Sequence, residues 1–544
     1  MNQGHELGRA ATLRRFMLEM QIARRFLVRR SATLCLILAL ACTSCLVGPD
    51  YKTPSSTVAP QWSYLPTNLP PTNATAQVAD AYWWKSLNDP VLNDLIDLAY
   101  RNNPTLQATG VSVLQARAQL NQSIGNLFPQ QQGVSASVTG YRQSGPESTL
   151  NPFVSSGFAR DTLLFSASWE LDFWGKYRRT IQSDRASFLG TIASYDDALV
   201  TLIADVANSY VNIRTLQERI RVAQENADSQ RESLRVATVQ FNAGETTELD
   251  VQQAASVFQQ TAAQVPRLQN SLNQAKAGLA VQLGTTADQV DQHLKGPGNI
   301  PSVPPDIAVG IPKDLLRRRP DVRAAGFAAA AQSALIGVAR ANMYPAFSIN
   351  GAFGFTSNSE RNNSLADMFM WQSRAAEAGA SVVWPVFNYG RLINEVRVQD
   401  AVFQQAVLNY QNTVLAAQAD VENGISFFYT EQQALTNLVA AATAARRSTQ
   451  LSMIQYKSGE ADFTTVLTSE QTQLSAEDSV ASSQGNVVLA LISIYRSLGG
   501  GWEIRQGHDV VSDEVKAEMA RRTNWGKMLE PQNHLPPMSP EETP

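Results

Sequence analysis

Hydrophobic and polar positions change their period along this chain, and each change predicts a different element. Before Gly175, apolar and polar residues alternate, as in a strand with one apolar face. After Gly175, apolar positions step by three and four for about 65 residues, which predicts a helix with one buried seam. At ~1.5 Å per residue that helix would be ~90–100 Å long, longer than a compact domain needs. The alternating apolar positions are Leu163, Phe165, Ala167, Trp169, Leu171 and Phe173.

Shorter patterns complete the first half of the chain. Residues 92–99 have the apolar spacing of a helix, and a proline opens a second predicted helix at 104–126. Residues 134–138 alternate again and predict a strand that forms a hairpin with the strand before Gly175. A further helix is predicted over 247–283, interrupted at Pro266.

The same series of elements then occurs a second time. Gly244 and Gly459 lie 215 positions apart, and each is followed by Glu and preceded, three residues earlier, by an aromatic residue. Residues 384–390 correspond to 169–175 at the same offset. Because one offset holds across strand, helix and turn, the second half of the chain is a copy of the first. The copy therefore predicts two further strands. Their apolar positions are Phe347, Ile349, Gly351, Phe353 and Phe355, then Ala378, Ala380, Val382, Trp384 and Val386.

The amino terminus predicts export. Four arginines at 24–30 precede a short apolar run at 32–41, which is the length of a signal peptide and too short to span a bilayer. All cysteines of the chain lie here, at 35, 42 and 45, so a processed chain has no disulfide framework. A cysteine just after the apolar run suits lipoprotein processing, in which the thiol carries the lipid. We expect Cys45 to be that residue; Cys42 and an ordinary cleaved signal are the alternatives.

Composition excludes several kinds of chemistry. The formal net charge of −4 gives no basic surface for nucleic acid. The four histidines are scattered and no cysteine remains after processing, so we expect no catalytic residues, no metal site and no cofactor. No later segment offers ~20 consecutive apolar residues, which excludes a transmembrane helix by this criterion. Any membrane span must therefore consist of strands.

Four strands in one chain determine the expected assembly. Four tilted strands cannot close a barrel, and an open sheet edge is not tolerated in lipid. The smallest closed barrels have ~8 strands and are filled by side chains, so a conducting pore needs more. Three chains would supply twelve strands and about as many long helices. The expected fold class is an α+β membrane protein: a trimeric 12-stranded outer-membrane β-barrel continued by a long periplasmic α-helical barrel, built from two repeats.

The residues resemble a known family, the outer-membrane factors of tripartite efflux systems. The resemblance is to the TolC/OprM-like proteins and, among them, the NodT-type lipoproteins. It runs from Cys45 to about Trp502. The matching segments are Cys45-Leu46-Val47-Gly48-Pro49-Asp50-Tyr51, Trp83-Trp84 with Asp89-Pro90, Leu315-Leu316-Arg317-Arg318-Arg319-Pro320-Asp321-Val322-Arg323, and Tyr344-Pro345.

The resemblance implies a homotrimeric exit duct in the outer membrane that docks to a periplasmic adaptor and to an inner-membrane transporter, expected to be of the RND type. The two glycine turns would form periplasmic tips that contact the adaptor. The tip residues are Gly244, Glu245, Gly459 and Glu460. A glycine that merely ends a helix is the plain alternative at both turns.

The family closes its periplasmic mouth with charged residues around the second glycine. In this chain Tyr456 is kept, but Gln455, Thr465 and Thr468 occupy the charged positions. Asp250 stands six residues after the first glycine, and we hypothesise that it forms a resting constriction with Tyr456 through hydrogen bonds. The alternative is that both are solvated residues of a helix tip.

The predicted organisation has five parts: a signal peptide at 1–44, a lipid-anchored extended segment at 45–90, repeats at 91–309 and 310–500, and a partly disordered extension at 501–544. The predicted function is passive conduction of substrates to the outside. A channel for type I protein secretion and a lipid-anchored coiled-coil spacer or adhesin are the alternatives. Arg317-Arg318-Arg319 is expected to form salt bridges with Asp314 or Asp321 at the repeat junction.

Overall fold

The structure is a computed structural model that describes residues 46–65, 81–142, 157–295, 298–303, 318–359, 365–505, 507–531 and 535. The predicted signal peptide, Cys45, Asp314 and Arg317 lie outside these residues. The chain forms two compact units. Unit 1 comprises Met1–Tyr51, Gln119–Arg185 and Ala331–Gln404, and unit 2 comprises Lys52–Ala118, Ala186–Ala330 and Gln405–Pro544.

The described residues are mostly helical. The α-helices are α1 (Pro90–Asn102), α2 (Pro104–Gly125), α3 (Lys176–Asn242), α4 (Glu248–Leu283), α5 (Ala287–His293), α6 (Pro320–Ala341), α7 (Arg391–Lys457), α8 (Phe463–Ser497) and α9 (Asp513–Arg522). The strands are β1 (Gln131–Arg142), β2 (Gly157–Leu171), β3 (Ala346–Asn358) and β4 (Arg374–Val383). Short 3-10 helices lie at Trp83–Leu87, Leu365–Asp367, Trp371–Ser373, Trp502–Arg505 and Gly526–Leu529.

Helix lengths confirm the internal duplication. Helices α3 and α7 each have 67 residues, α2 and α6 each have 22, and α4 and α8 have 36 and 35. The long helix predicted after Gly175 is therefore present and has a second copy. The predicted apolar seam of α3 is buried, and it includes Ile203, Val206 and Tyr210.

The sheet belongs to unit 1 and has the order β1-β2-β3-β4, with every neighbouring pair antiparallel. Phe165 of β2 lies opposite Val134 of β1 and Phe353 of β3. Directly opposite residues in an antiparallel pair share one face, so the apolar positions of the four strands coincide. Phe165, Phe353 and Val134 are 51%, 51% and 71% exposed. One face of the sheet is therefore an uncovered apolar surface.

The other face of the sheet is polar. The Ser168 hydroxyl donates to Oδ1 of Asn350 at 2.6 Å, and Nδ2 of Asn350 donates to the Ser381 hydroxyl at 3.1 Å. Ser137 and Thr162 form a further cross-strand hydrogen bond of 2.7 Å. Membrane strands alternate in this way, with apolar side chains toward lipid and polar ones toward the lumen.

Aromatic residues at the strand ends repeat the duplication in their contacts. The Trp169 indole N–H donates to the Leu127 carbonyl, and the Trp384 indole N–H donates to the Met343 carbonyl, both at 3.1 Å. The Trp384 side chain is 57% exposed. An indole that hydrogen-bonds at one end and stays uncovered at the other suits a membrane interface rather than a packed core.

Some predicted element ends are wrong. Phe173 lies past β2, because its N–H turns back to the Leu171 carbonyl at 2.8 Å. Trp384 and Val386 lie past β4, which ends at Val383, since Pro385 has no N–H for a sheet ladder. Pro266 does not interrupt α4 but lies inside it on an exposed face, where water can hydrogen-bond the carbonyl that a proline leaves unpaired.

The core of unit 2 begins at Trp83 and Trp84, each 1% exposed. Asp89 caps α1, accepting the Val91 N–H at 2.9 Å, and its other oxygen accepts the Tyr210 hydroxyl at 2.5 Å. Arg319 pairs with Asp321 at 2.7 Å, as expected, and also donates to the Ser497 carbonyl at 2.6 Å.

The sequence predicts a partly disordered extension at 501–544, and within it the described residues 501–505 and 507–531 include short helices with buried side chains. The Arg505 guanidinium donates to the fully buried Asp196 carboxylate of α3 at 2.6 Å. Val510 and Val511 are buried, and Ser512 caps α9. A charged segment is ordered here because its apolar and paired residues fold back on unit 2.

One helix in the described part of the chain, α6, has the length and mean hydropathy of a membrane span, which differs from the sequence expectation. About half of that segment, 56%, is buried within the chain, and it carries Asp321, Arg323 and Arg340 near its ends. A buried core helix passes the same test, so this feature alone does not indicate a transmembrane helix.

Candidate functional site

The first glycine turn joins α3 to α4. The Gly244 N–H donates to the Phe241 carbonyl, and the Glu245 N–H donates to the Gln240 carbonyl, both at 2.9 Å. This pair of bonds is a Schellman motif, which satisfies the last carbonyls of a helix. Gly244 has φ +81°, and a Cβ at this position would meet nothing within 4 Å. Backbone conformation, rather than space, therefore selects glycine here.

The second turn, between α7 and α8, has the same geometry. The Gly459 N–H donates to the Tyr456 carbonyl at 3.0 Å, the Glu460 N–H donates to the Gln455 carbonyl at 2.8 Å, and Gly459 has φ +80°. The duplicated sequence pattern thus corresponds to a duplicated helix cap. At both turns the aromatic residue's backbone carbonyl accepts the glycine N–H, a contact that does not depend on the aromatic side chain.

All four predicted adaptor-contact residues are exposed: Gly244, Glu245, Gly459 and Glu460. Each turn presents one carboxylate beside a glycine that has no side chain to obstruct an approaching surface. Contact between these residues and an adaptor stays a prediction.

The two aromatic residues differ in burial although their turns match. Phe241 is 40% exposed, whereas Tyr456 is 5% exposed and its ring lies 4.8 Å from the Phe463 ring, centroid to centroid. Tyr456 belongs to a buried group to which all four helices contribute, here called the tip cluster. Its members are Val236, Ala237, Ala254, Val257, Tyr456, Phe463, Val466 and Leu467.

Asp250 and Tyr456 do not hydrogen-bond each other within this chain. Asp250 accepts a hydrogen bond from the Thr246 hydroxyl. The buried Tyr456 hydroxyl has no hydrogen-bond partner of normal geometry among the described residues. Burial raises the pKa of Tyr456, a contact with Thr246 opposes that rise, and the Asp250 carboxylate adds to it. The two residues are therefore neighbours, and their role in a resting constriction stays a prediction.

The remaining predicted gate residues are exposed and uncharged. Gln455 uses its carbonyl to cap the second turn, and the Thr468 hydroxyl donates to the Thr464 carbonyl one turn back at 2.8 Å. The Thr465 side chain is also exposed. These three positions can offer neutral hydrogen bonds to a neighbouring surface but no ion pair.

Sequence reasoning missed a set of buried polar residues behind the tip cluster, here called the polar layer. Its members are Asn226, Gln230, Ser233, Glu470 and Glu477. The signal was available, because 226 and 233, like 470 and 477, are one heptad apart and would lie on one seam.

At the end of the polar layer away from the tip cluster, the Glu477 carboxylate is fully paired. Glu477 accepts hydrogen bonds from Nδ2 of Asn226 at 2.7 Å, from the Arg446 guanidinium at 2.7 and 2.9 Å, and from Nε2 of Gln473 at 3.1 Å. These bonds join α3, α7 and α8 at one level. A buried carboxylate with a cationic partner and several donors is well satisfied.

The described residues contain no group of three or more His, Cys, Asp or Glu side chains placed to hold a metal ion.

The residue that follows Cys45, Leu46, has a defined position in the structure. Leu46 lies against Gly175, where an added Cβ would come within 2.4 Å of its Cδ1, and the Val47 N–H donates to the Trp174 carbonyl at 3.2 Å. The chain that follows Cys45 is therefore held beside the end of β2.

Comparison with known proteins identifies relatives over most of the chain. The family model described as outer membrane efflux protein matches residues 95–285 and 311–500, one segment in each repeat. The chain is 30% identical over 490 residues to the pyoverdine export outer membrane protein OpmQ of Pseudomonas aeruginosa, covering 86% of this chain and 98% of that protein. It is 28% identical over 476 residues to outer membrane protein OprJ of the same organism, covering 86% and 95%.

The solved structure of the outer-membrane channel OprN matches with a TM-score of 0.77 and 32% identity, covering 84% of this chain and all of that one. This likeness confirms the predicted fold class, the α+β membrane fold of trimeric channels with a β-barrel and an α-helical barrel. The family resemblance stated from the sequence is confirmed as well.

Proposed function

The chain belongs to the outer membrane efflux protein family, and from that premise we propose that it is the outer-membrane exit duct of a tripartite efflux system. It conducts substrates passively to the outside after an energised partner has delivered them. Its relatives are channel proteins rather than enzymes, and the protein resides in the outer membrane. The observation that carries this function is the four-stranded sheet with one exposed apolar face and one polar face.

We propose that the working unit is a homotrimer. Strands β1 and β4 are the two edges of the sheet within one chain, and strand edges cannot stay open in lipid. A second and a third copy would pair these edges and close the barrel. The presence of these strands also argues against the alternative of a coiled-coil spacer, because a spacer needs no membrane strands.

The partners we propose are a periplasmic adaptor and an inner-membrane transporter, of the RND type. The exposed carboxylates Glu245 and Glu460 at the two turns are the proposed adaptor contacts. The name of one relative, OpmQ, states pyoverdine export, which favours efflux over type I protein secretion for this chain.

We propose Cys45 as the lipid attachment site. Leu46 is fixed beside Gly175 at the end of β2, so a lipid on the preceding residue would lie at the membrane end of the strands. Radiolabelled palmitate should enter the wild type and Cys42→Ser but not Cys45→Ser. Label retained in Cys45→Ser and lost in Cys42→Ser would instead assign the lipid to Cys42.

The duct function is tested in the organism that carries the gene. Deletion should raise the intracellular accumulation of a fluorescent dye that the cognate transporter exports, and the wild-type gene should restore efflux. The protein should fractionate with the outer membrane as trimers that dissociate on heating. Release from membranes by a carbonate wash, without trimers, would contradict the duct and favour the spacer.

A further inference from the structure

The polar layer has a second acid that is less well satisfied than Glu477. Along α8 the tip cluster ends at Leu467, and the next buried side chain is Glu470, 3% exposed. Its carboxylate accepts a hydrogen bond from the hydroxyl of Ser233 on α3, which is itself 2% exposed. Glu470 therefore lies in the α3–α8 seam, one turn behind the tip.

No described cation pairs with Glu470. Arg231 and Arg235 on α3 are exposed and pair with Asp228 and Glu232 of the same helix. Other charged residues of these helices at nearby sequence positions include Glu248 and Asp250 on α4, Arg446, Arg447 and Lys457 on α7, and Glu477 and Asp478 on α8. Of these, Glu477 is buried, and it pairs with Arg446. Burial is the main influence on the pKa of Glu470 and raises it, and the Ser233 hydrogen bond lowers it.

Gln230 adds an unmet polar group to the same seam. It lies one helical turn before Ser233 and is 2% exposed, and neither Oε1 nor Nε2 has a hydrogen-bond partner among the described residues. A buried amide without partners and a buried carboxyl with one neutral donor both favour a state in which water reaches them. The contact between α3 and α8 therefore has unmet polar groups at this level, between the tip cluster and the Glu477 network.

We propose that Glu470, with Gln230, is a positioning element of the periplasmic mouth, dry when the tip is packed and hydrated when α8 moves away from α3. This inference rests on the proposed duct function. The three-residue set Gln230, Ser233 and Glu470 acts on the opening through the helix that carries the second turn, not by contact with the substrate.

The expected direction of the pH effect follows from burial. The pKa of Glu470 is raised in the packed state and returns toward its ordinary value when water reaches the carboxyl. Protonation therefore stabilises the packed state, and acid closes the mouth. Between the two pKa values, each such carboxyl contributes at most about tenfold per pH unit to the opening equilibrium.

The experiment measures the conductance of the purified full-length protein in planar bilayers between about pH 5 and pH 8. Wild-type conductance should fall on acidification. Glu470→Gln should hold the low value at every pH. Ser233→Ala removes the bond that lowers the pKa, so the midpoint should move to higher pH. Glu232→Gln, the same change one residue away from Ser233 on the exposed face, should keep the wild-type profile.

A second measurement reports how accessible the contact between α3 and α8 is to solvent. The exported chain has no cysteine after position 45, so Gln230→Cys offers one site for a maleimide. Thiolate loss slows labelling of any cysteine at low pH, so the rate is divided by that of an exposed single-cysteine control, Glu232→Cys, and this ratio should fall with conductance on acidification. A ratio that does not change with pH, or a wild-type pH profile in Glu470→Gln, overturns the inference. A wild type that conducts at no pH contradicts the duct function itself, whereas a conducting wild type with a flat pH profile contradicts only this inference.

Discussion

The ring of Tyr456 lies against the ring of Phe463, with centroids 4.8 Å apart, across the turn at Gly459. This contact joins the end of α7 to the start of α8 and places both rings in the tip cluster. Because the Tyr456 hydroxyl makes no hydrogen bond of normal geometry there, the ring, and not the hydroxyl, stabilises the turn.

Tyr456→Ala should loosen the tip, whereas Tyr456→Phe should not. Removing a buried aromatic ring costs about 3–5 kcal/mol, here as local stability of the hairpin. We expect faster amide exchange at 453–467 and a larger closed-state leak in single-channel recordings. Phe241→Ala is the matched control, because the corresponding ring in the first repeat is 40% exposed. A leak equal to wild type in Tyr456→Ala would contradict a role in closure.

Asp250 variants separate charge from hydrogen bonding at the tip. Asp250→Asn keeps an acceptor for the Thr246 hydroxyl but loses the charge, and Asp250→Ala loses both. A carboxylate in the first turn of a helix contributes about 0.3–1 kcal/mol, so folding should hardly change. We expect a raised closed-state leak in Asp250→Ala and a smaller effect in Asp250→Asn. If neither variant leaks, Asp250 is only a solvated residue of the helix tip.

Much of this fold could be predicted from the sequence because it is repetitive. A period of two gave the strands, a period near 3.5 gave the long helices, and the 215-residue offset gave the duplication. Element ends were missed where a local contact decides them, as at Phe173 and Trp384. The order of residues 507–531 was missed because the pairing of Arg505 with Asp196 joins positions 309 residues apart.

The candidate site was predicted less completely. The helix caps at Gly244 and Gly459 could be read from an aromatic residue and a Gly-Glu pair, because a Schellman turn requires a left-handed residue at one position. The sequence does not indicate which of the two aromatic rings is buried, because the turns at Phe241 and Tyr456 have matching backbone geometry and the rings differ in tertiary packing. Glu470 is one acid among many in the sequence until its burial is known.

The buried pair Asp196–Arg505 should matter far more than an exposed one. Asp196 is fully buried and Arg505 is 6% exposed, so Arg505→Ala leaves a carboxylate with weaker compensation. Loss of one partner of a buried pair costs about 3–5 kcal/mol, which should lower the melting temperature of the trimer. Arg221→Ala, which removes the exposed pairs with Glu218 and Glu225, should cost less than about 1 kcal/mol. Equal effects of the two variants would contradict a fixed role for the carboxy-terminal segment.

The duplication also predicts how β4 of one copy pairs with β1 of the next in the proposed trimer. Within a chain, Phe165 of β2 lies opposite Phe353 of β3. The helices before β1 and β3 begin 216 residues apart, but the two strands begin at 131 and 346, which are 215 apart. Moving each residue by 215 gives Ala380 of β4 opposite Val138 of β1 in another copy. Both belong to the apolar face, so this register continues that face across the junction.

A cross-link tests that register. Directly opposite residues have Cβ atoms about 4.5–5.5 Å apart, close enough for a disulfide after a small adjustment. The double variant Val138→Cys with Ala380→Cys should form covalent oligomers on a non-reducing gel, since the exported chain has no cysteine after position 45. Thr139→Cys with Ala380→Cys should not, because residue 139 points to the opposite face of the sheet. Preferential cross-linking of the second pair would shift the register by one residue and place apolar side chains in the lumen, which would contradict the quasi-equivalent junction.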